Sequence, residues 1–141
     1  MSQLSKLQIR AKVLSVISEI KSSAAYNEDS LSNFTCELNT IEDKETLFDI
    51  FLKEYIKMDE NEYVFSGCIL KNIIPKEYIN DKVLEQLKSN ILSDESKYKL
   101  VQLLRLVGSE CNYNEIPSYF ENPEEVLDKE TKKLLENAVF N

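Results

Sequence analysis

The sequence predicts an all-α protein of helical hairpins stacked as an α-α superhelix, with a compact helical bundle as the alternative. Apolar residues along the 141-residue chain recur at intervals of three and four, and no segment alternates as a strand does. Two predicted helices are apolar around most of their circumference, which indicates burial on more than one side. The sequence also matches itself at a shift of 35 residues, a period typical of helical repeats.

The first predicted helix covers residues 1–25, because its apolar residues follow the helical period. They are Leu4, Leu7, Ala11, Leu14, Ile17 and Ile20. Residues 26–42 are rich in Asn, Asp, Ser and Thr and have no clear period. We therefore expect a linker here, with at most a short helical turn between Leu31 and Leu38.

Residues 43–74 are predicted to form a helical hairpin. Its first helix follows Asp43 or Thr46 and ends in a polar run. Its second helix, from about Tyr63, has little polar face and stops before Pro75, since proline disfavours the helical region for the preceding residue.

A second hairpin is predicted for residues 76–108, with a first helix that runs to about Leu92. In its second helix Ser93 is the expected N-cap, and Gly108 lies where a left-handed residue ends a helix. The polar residues Gln102 and Arg105 are too few to cover an outer face.

Residues 114–141 are predicted to form a partial C-terminal unit of the same single domain. A short helix is expected near Ile116 to Phe120, and another should start at Pro123 after Asn122 as its cap. A last helix is expected from Asp128 to about Phe140. The apolar residues of this last helix are still in register at its end. We therefore expect the 141 residues to be the N-terminal part of a longer repeat protein.

The internal match relates the two predicted hairpins. Six identical pairs result from the 35-residue shift: Leu52 with Leu87, Lys53 with Lys88, Ile56 with Ile91, Asp59 with Asp94, Glu60 with Glu95, and Tyr63 with Tyr98. In a stack of hairpins the second helix of each unit contacts its own partner and both neighbouring units. This arrangement accounts for helices with little polar surface, although the central helix of a compact bundle would be equally apolar.

The stretch NDKVLEQLKSNILSDESKYKLVQLLRLVG carries a family resemblance, with Asp94 at the turn between its helices and Lys99 early in the second. It resembles the HEAT family of paired-helix repeats, and armadillo-like repeats more broadly, over residues 43–108 at most. Tyr63 and Tyr98 stand where that family usually has an aliphatic residue. The resemblance implies a right-handed stack used as a protein-binding scaffold without catalysis.

The composition argues against several kinds of chemistry. The chain has no histidine and two glycines, so histidine-dependent catalysis and glycine-rich phosphate loops are excluded. Its three cysteines, Cys36, Cys68 and Cys111, form no C-x-x-C pair and predict neither a disulfide framework nor a thiolate zinc site. Cys111 is a poor nucleophile candidate, because Glu110 and Glu115 are its charged neighbours.

Acidic clusters are the remaining candidates for a metal site. They comprise Glu42, Asp43 and Glu45; Asp59, Glu60 and Glu62; and Glu121, Glu124, Glu125 and Asp128. Each cluster lies at a predicted helix start, where carboxylates stabilise the helix dipole. A calcium loop from Asp59 would have Tyr63, Val64 and Leu70 at positions that need an oxygen ligand, glycine and glutamate. We therefore expect no catalytic, cofactor or metal site.

The function favoured by these features is a non-catalytic protein–protein interaction scaffold. The formal charge of −8 argues against nucleic acid and anionic membranes as partners, and no targeting or membrane-spanning segment is evident, so we expect a cytoplasmic chain whose partner is another protein. Four tyrosines are candidates either for contact with a partner or for the edge of the helical core: Tyr63, Tyr98, Tyr113 and Tyr119.

The alternative to a scaffold is a small regulatory or ligand-binding bundle. It would have a cavity lined by aromatic residues such as Phe48, Phe51, Tyr55 and Phe65.

Overall fold

The structure is a computed structural model that describes residues 4–23, 26–111 and 113–126. Within those ranges all regular structure is helical, which confirms the all-α fold class. The elements are α1 (Lys6–Ser22), α2 (Glu28–Asn39), α3 (Lys44–Tyr55), α4 (Glu60–Ile73), α5 (Lys76–Leu87), α6 (Asp94–Val107), a 3-10 helix (Tyr113–Tyr119) and α7 (Pro123–Val126). By their internal contacts they fall into two compact units, Met1–Pro75 and Lys76–Asn141. None of the helices in these described ranges has both the length and the apolar character needed to cross a bilayer.

Side-chain caps fix where most of these helices begin. In five of them the N-cap side chain accepts a hydrogen bond from the backbone N–H three residues further on, which satisfies one of the unpaired amides of the first turn. The five caps are Ser5, Asn27, Asp43, Asp59 and Ser93. Gly108 ends α6 in the left-handed conformation with φ 69°, so both predicted ends of that helix are confirmed.

The predicted linker of residues 26–42 is wrong, because most of it is the helix α2. Leu31, Phe34 and Leu38 form one apolar stripe at helical spacing in an otherwise polar segment, and only Leu38 is fully buried. The stripe keeps the helical period, but few residues carry it, so the segment buries little apolar surface of its own. Tertiary packing, rather than local hydrophobicity, therefore decides that this segment is helical.

The end of α5 also differs from the prediction. The helix α5 ends at Leu87 instead of about Leu92, and Ile91 is 90% exposed in the turn that follows. The Ser89 hydroxyl accepts a hydrogen bond from the Ile91 backbone N–H at 3.2 Å, which stabilises a turn instead of a further helical turn.

In the C-terminal region, the short helix expected near Ile116 to Phe120 is the 3-10 helix, and α7 begins at Pro123 as predicted. The helix expected from Asp128 to Phe140 lies outside the described residues.

In the first unit the helices pack by pairs that are not adjacent in the chain. The main contacts join α1 with α3 and α2 with α4, and smaller contacts join α1 with α2, α1 with α4 and α3 with α4. The six longer helices can be taken as three consecutive pairs, α1–α2, α3–α4 and α5–α6. In the first unit the first helix of each pair, α1 or α3, belongs to one layer, and the second helix, α2 or α4, belongs to another. In the second unit α5 packs on α6, which also contacts α7.

The first helices bury equivalent positions, counted from their starts at Lys6, Lys44 and Lys76. These positions are one helical turn apart and lie on one face. They hold Ile9, Val13 and Ile17 in α1, Leu47, Phe51 and Tyr55 in α3, and Ile79, Val83 and Leu87 in α5.

The second helices show the same regularity, counted from Glu28, Glu60 and Asp94. One equivalent position holds Leu38, Leu70 and Leu104, and another holds Ile41, Ile73 and Val107, all of them buried. This register pairs Glu60 with Asp94, whereas the 35-residue match pairs Asp59 with Asp94. The sequence match is therefore one position out of register for the second helices. It is three positions out for the first helices, because Lys44 and Lys76 are 32 residues apart. The recurring pattern also covers three helix pairs instead of two.

The prediction that α4 is covered on both sides is wrong for one side of this helix. Its exposed residues lie on a single face and are Glu60, Asn61, Val64, Lys71 and Asn72. In contrast, every residue of α6 from Leu100 to Val107 is buried or half-buried. Of the two helices, α6 is thus the more fully covered over this stretch.

In the second unit, the start of α6 holds the chain that follows the 3-10 helix. The Asp94 carboxylate accepts hydrogen bonds from the backbone N–H groups of Glu121 and Asn122 at 2.9 and 2.8 Å. One turn later the buried Lys97 ammonium donates to the Tyr119 carbonyl at 2.6 Å. A buried lysine needs such a partner, because leaving its charge unpaired is costly.

The N-cap of α2 provides a test of the helix that replaces the predicted linker. Asn27→Ala removes the acceptor of the Ser30 N–H, so we expect the free energy of unfolding to fall by about 1 kcal/mol in urea denaturation. Asn33→Ala is the matched control, since Asn33 is exposed within the same helix and alanine is the better helix former. Equal effects of the two substitutions would contradict the assigned start of α2.

The Asp94 contacts provide a second test. Asp94→Ala should lower the free energy of unfolding by about 1 to 3 kcal/mol, because two amides lose a charged acceptor. Hydrogen exchange at residues 113–122 should also become faster. Glu95→Ala is the control, since it removes a first-turn carboxylate without those contacts. If both variants exchange alike over residues 113–122, Asp94 does not hold this segment.

Candidate functional site

An open groove of about 720 Å³ lies beside α2 and α4 in the first unit. The N-terminal half of α2 contributes Leu31, and α4 contributes Val64, Phe65 and Cys68. Val64 is 47% exposed, although it lies in the middle of its helix. The exposed face of α4 therefore presents an apolar side chain next to a concave surface.

Aromatic packing builds the floor of this groove. The Phe65 and Tyr26 rings lie 4.8 Å apart between centroids at an angle of 36°, and Phe34 meets Phe65 edge to face at 6.1 Å. Such tilted and edge-to-face pairs are favourable arrangements of aromatic rings. The Tyr26 hydroxyl donates to the Ile20 carbonyl at 3.0 Å, which holds the ring at the end of α1.

The charged residues that line the groove are both acidic. Glu28 and Glu60 are the first residues of α2 and α4, where the positive end of each helix dipole stabilises a carboxylate. Partial burial raises the pKa of Tyr26, and the negative charges of Glu62 and Asp59 raise it further. The groove is therefore apolar at its floor and negative at its edge.

The groove offers both apolar surface and polar groups to a ligand. Its polar side chains are two carboxylates, two amides, a phenol and the half-buried thiol of Cys68. Over residues 4–23, 26–111 and 113–126, no group of three His, Cys, Asp or Glu residues is arranged to hold a metal ion. The apolar floor and the carboxylates can hold a complementary ligand by burial and by charge.

The acidic clusters singled out in the sequence have assigned structural partners at helix starts. Asp43 and Asp59 are N-caps, and the Glu62 side chain accepts a hydrogen bond from the Asp59 N–H in a capping box. Hydrogen bonds from the Thr46 hydroxyl and N–H lower the pKa of Asp43. The C-terminal cluster precedes and enters α7, except for Asp128, which lies outside the described residues.

The four tyrosines considered as contact residues divide into two groups. Tyr63 and Tyr113 are buried, and the Tyr63 ring packs 5.7 Å from the ring of Tyr55, so these two are core residues. Tyr98 and Tyr119 are half-buried and remain partly accessible. Neither group lines the groove.

The aromatic cavity of the alternative prediction is not formed as expected. Phe48, Phe51 and Tyr55 are buried in the core of the first unit, where their rings fill space that a ligand would occupy. Phe65 alone of the four borders the groove.

Cys111 lies beside a hydrogen-bonded turn. Its backbone N–H donates to the Ser109 hydroxyl at 3.2 Å, and the Tyr113 hydroxyl donates to the Ser109 carbonyl at 2.7 Å. These contacts assign the segment a role in ending α6.

Sequence reasoning missed the groove, because one of its walls is the helix that was predicted to be a linker. Two signals were present in that segment. Asn27 followed by Glu28 and Asp29 is a helix start with an acidic first turn, and Leu31 and Phe34 have helical spacing.

Tyr113 gives a pH-dependent test of the turn that ends α6. Burial raises the pKa of Tyr113 to about 12, so its neutral form is favoured in the folded state. Its contribution to stability is complete below the unfolded pKa of about 10 and is lost as the pH rises toward 12. In urea unfolding, wild type should therefore lose stability relative to Tyr113→Phe above about pH 10. A constant difference across this range would contradict the burial of the hydroxyl.

No family model, no curated protein and no solved structure matches this chain.

Proposed function

We propose that the chain is a non-catalytic protein–protein interaction scaffold built of HEAT-like helical repeats. The observation that carries this proposal is the recurrence of the same buried positions in three helix pairs, α1–α2, α3–α4 and α5–α6. Repeat proteins stack supersecondary units that share a buried pattern, since no unit can cover its apolar face alone.

The packing within the first unit supports the same proposal. First helices pack on first helices and second helices on second helices, as expected for two hairpins stacked side by side. Such stacking leaves an elongated surface along each layer. The groove lies on the layer of α2 and α4, which is the layer that exposes Val64.

We further propose a cytoplasmic location. The free thiols of Cys36, Cys68 and Cys111 are compatible with a reducing compartment.

One observation favours a second function, that of a small ligand-binding domain. The groove volume of about 720 Å³ falls within the range of about 300 to 1,000 Å³ typical of small-molecule sites. Against it, small-molecule sites bury most of their ligand, whereas this groove is open on one side and bounded by two helices.

A binding selection separates the two functions. The whole chain, immobilised, is presented with a phage-displayed library of random dodecapeptides, and in parallel its melting temperature is measured against a panel of metabolites and nucleotides. If the chain is a scaffold, peptides should be enriched reproducibly and no metabolite should raise the melting temperature. A ligand raises the melting temperature only if it binds the folded state. No enrichment together with a metabolite-induced rise of several degrees would favour the ligand-binding domain.

A further inference from the structure

We infer that the groove between α2 and α4 docks a basic, apolar peptide segment of a partner protein. The inference rests on the proposed scaffold function and names the surface and the chemistry of the partner. Its central contact is Val64 on the exposed face of α4, and its charged contacts are Glu28 and Glu60.

The exposed face of α4 supplies the apolar contact of the groove. Val64 has Glu60, Asn61 and Lys71 around it on this face and is 47% exposed. Leu31 and Cys68 are half-buried beside it in the same groove. Covering these side chains in a complex would remove apolar surface from water, which favours association.

The charge of the groove determines which kind of segment it accepts. Glu28 and Glu60 line it, and Asp59 and Glu62 lie close enough to raise the pKa of Tyr26. The whole chain carries a formal charge of −8, so an acidic segment is repelled both locally and at long range. Lysine or arginine beside an apolar anchor complements this surface, and their charges act mainly on specificity and on the association rate.

A second copy of the chain is the competing occupant. On α1, Leu7 is 79% exposed and has Lys6 and Arg10 close by in sequence, so this helix itself has the basic and apolar character that the groove requires. The partner peptide is favoured, because two different surfaces that meet head to tail would build open chains, or a ring where the rotation closes, instead of a symmetric pair. Sedimentation velocity of wild type and of Leu7→Asp distinguishes the two occupants.

The first test compares two exposed apolar residues of the same unit. The random dodecapeptide library is selected separately on wild type, Val64→Asp and Leu7→Asp. We expect Val64→Asp to weaken the peptides selected on wild type by about ten-fold or more in fluorescence anisotropy, as for a central contact residue. Leu7→Asp should leave their affinity unchanged. Val64→Thr keeps the shape of the side chain and should weaken binding of the same peptides less than Val64→Asp does. This variant shows whether the loss of binding could instead come from a folding defect of Val64→Asp.

The second test concerns charge. In Glu28→Lys combined with Glu60→Lys, the selected peptides should lose their excess of lysine and arginine, and the affinity of the wild-type peptides should become less sensitive to salt. The matched control combines Glu45→Lys and Glu77→Lys. It makes the same change of net charge at two other helix starts outside the groove.

The outcomes separate this inference from the proposed function. Selected peptides that combine apolar residues with positive charge and depend on Val64 support it. Peptides that are enriched but bind equally to Val64→Asp, or that are acidic, overturn the groove assignment and leave the scaffold standing. Failure to enrich any peptide overturns both. Wild-type self-association that Leu7→Asp abolishes overturns the partner peptide in favour of a second copy.

Discussion

The packing of Phe65 against Tyr26 and Phe34 is the contact on which the layer of α2 and α4, and with it the groove, depends. It joins α4 to α2 and to the chain that leaves α1, and so it fixes three segments with one buried ring. Most of α2 is polar, and its helical form depends on this contact and on the burial of Leu38. Without it, one layer of the unit would lose a helix and the groove would lose a wall.

The recurring burial pattern follows from simple geometry. Each first helix places one buried residue per turn towards its neighbours, as in Leu47, Phe51 and Tyr55. Among the second helices, α4 and α6 bury more residues than α2, in which only Leu38 is fully buried. The residues at these positions differ from helix to helix, but they remain buried. Packing at each position requires apolar volume rather than one particular side chain.

The sequence was sufficient to predict the elements whose local signals agree with their environment. Ser93, Gly108 and Pro123 mark helix ends through capping and backbone preferences, which do not depend on tertiary contacts. It was not sufficient for α2, whose formation depends on a partner helix distant in the chain. The repeat register was misassigned for a related reason: identical residues at Asp59 and Asp94 suggested equivalence, yet Asp59 caps its own helix while Asp94 binds the backbone at residues 121 and 122. Side-chain role, rather than identity, distinguishes the two positions.

The proposed binding surface is a consequence of the same architecture. The mostly polar helix α2 covers only part of the apolar helix α4. Glu28 and Glu60, the first residues of these two helices, bring carboxylates to the edge of the uncovered surface. The most direct test is a nuclear Overhauser experiment on the aromatic protons of the whole chain. The account predicts cross-peaks from the Phe65 ring to the rings of Tyr26 and Phe34, since the first pair is separated by 4.8 Å between centroids. Their absence, with random-coil shifts for Tyr26 and Phe34, would contradict the packing of α2 on α4.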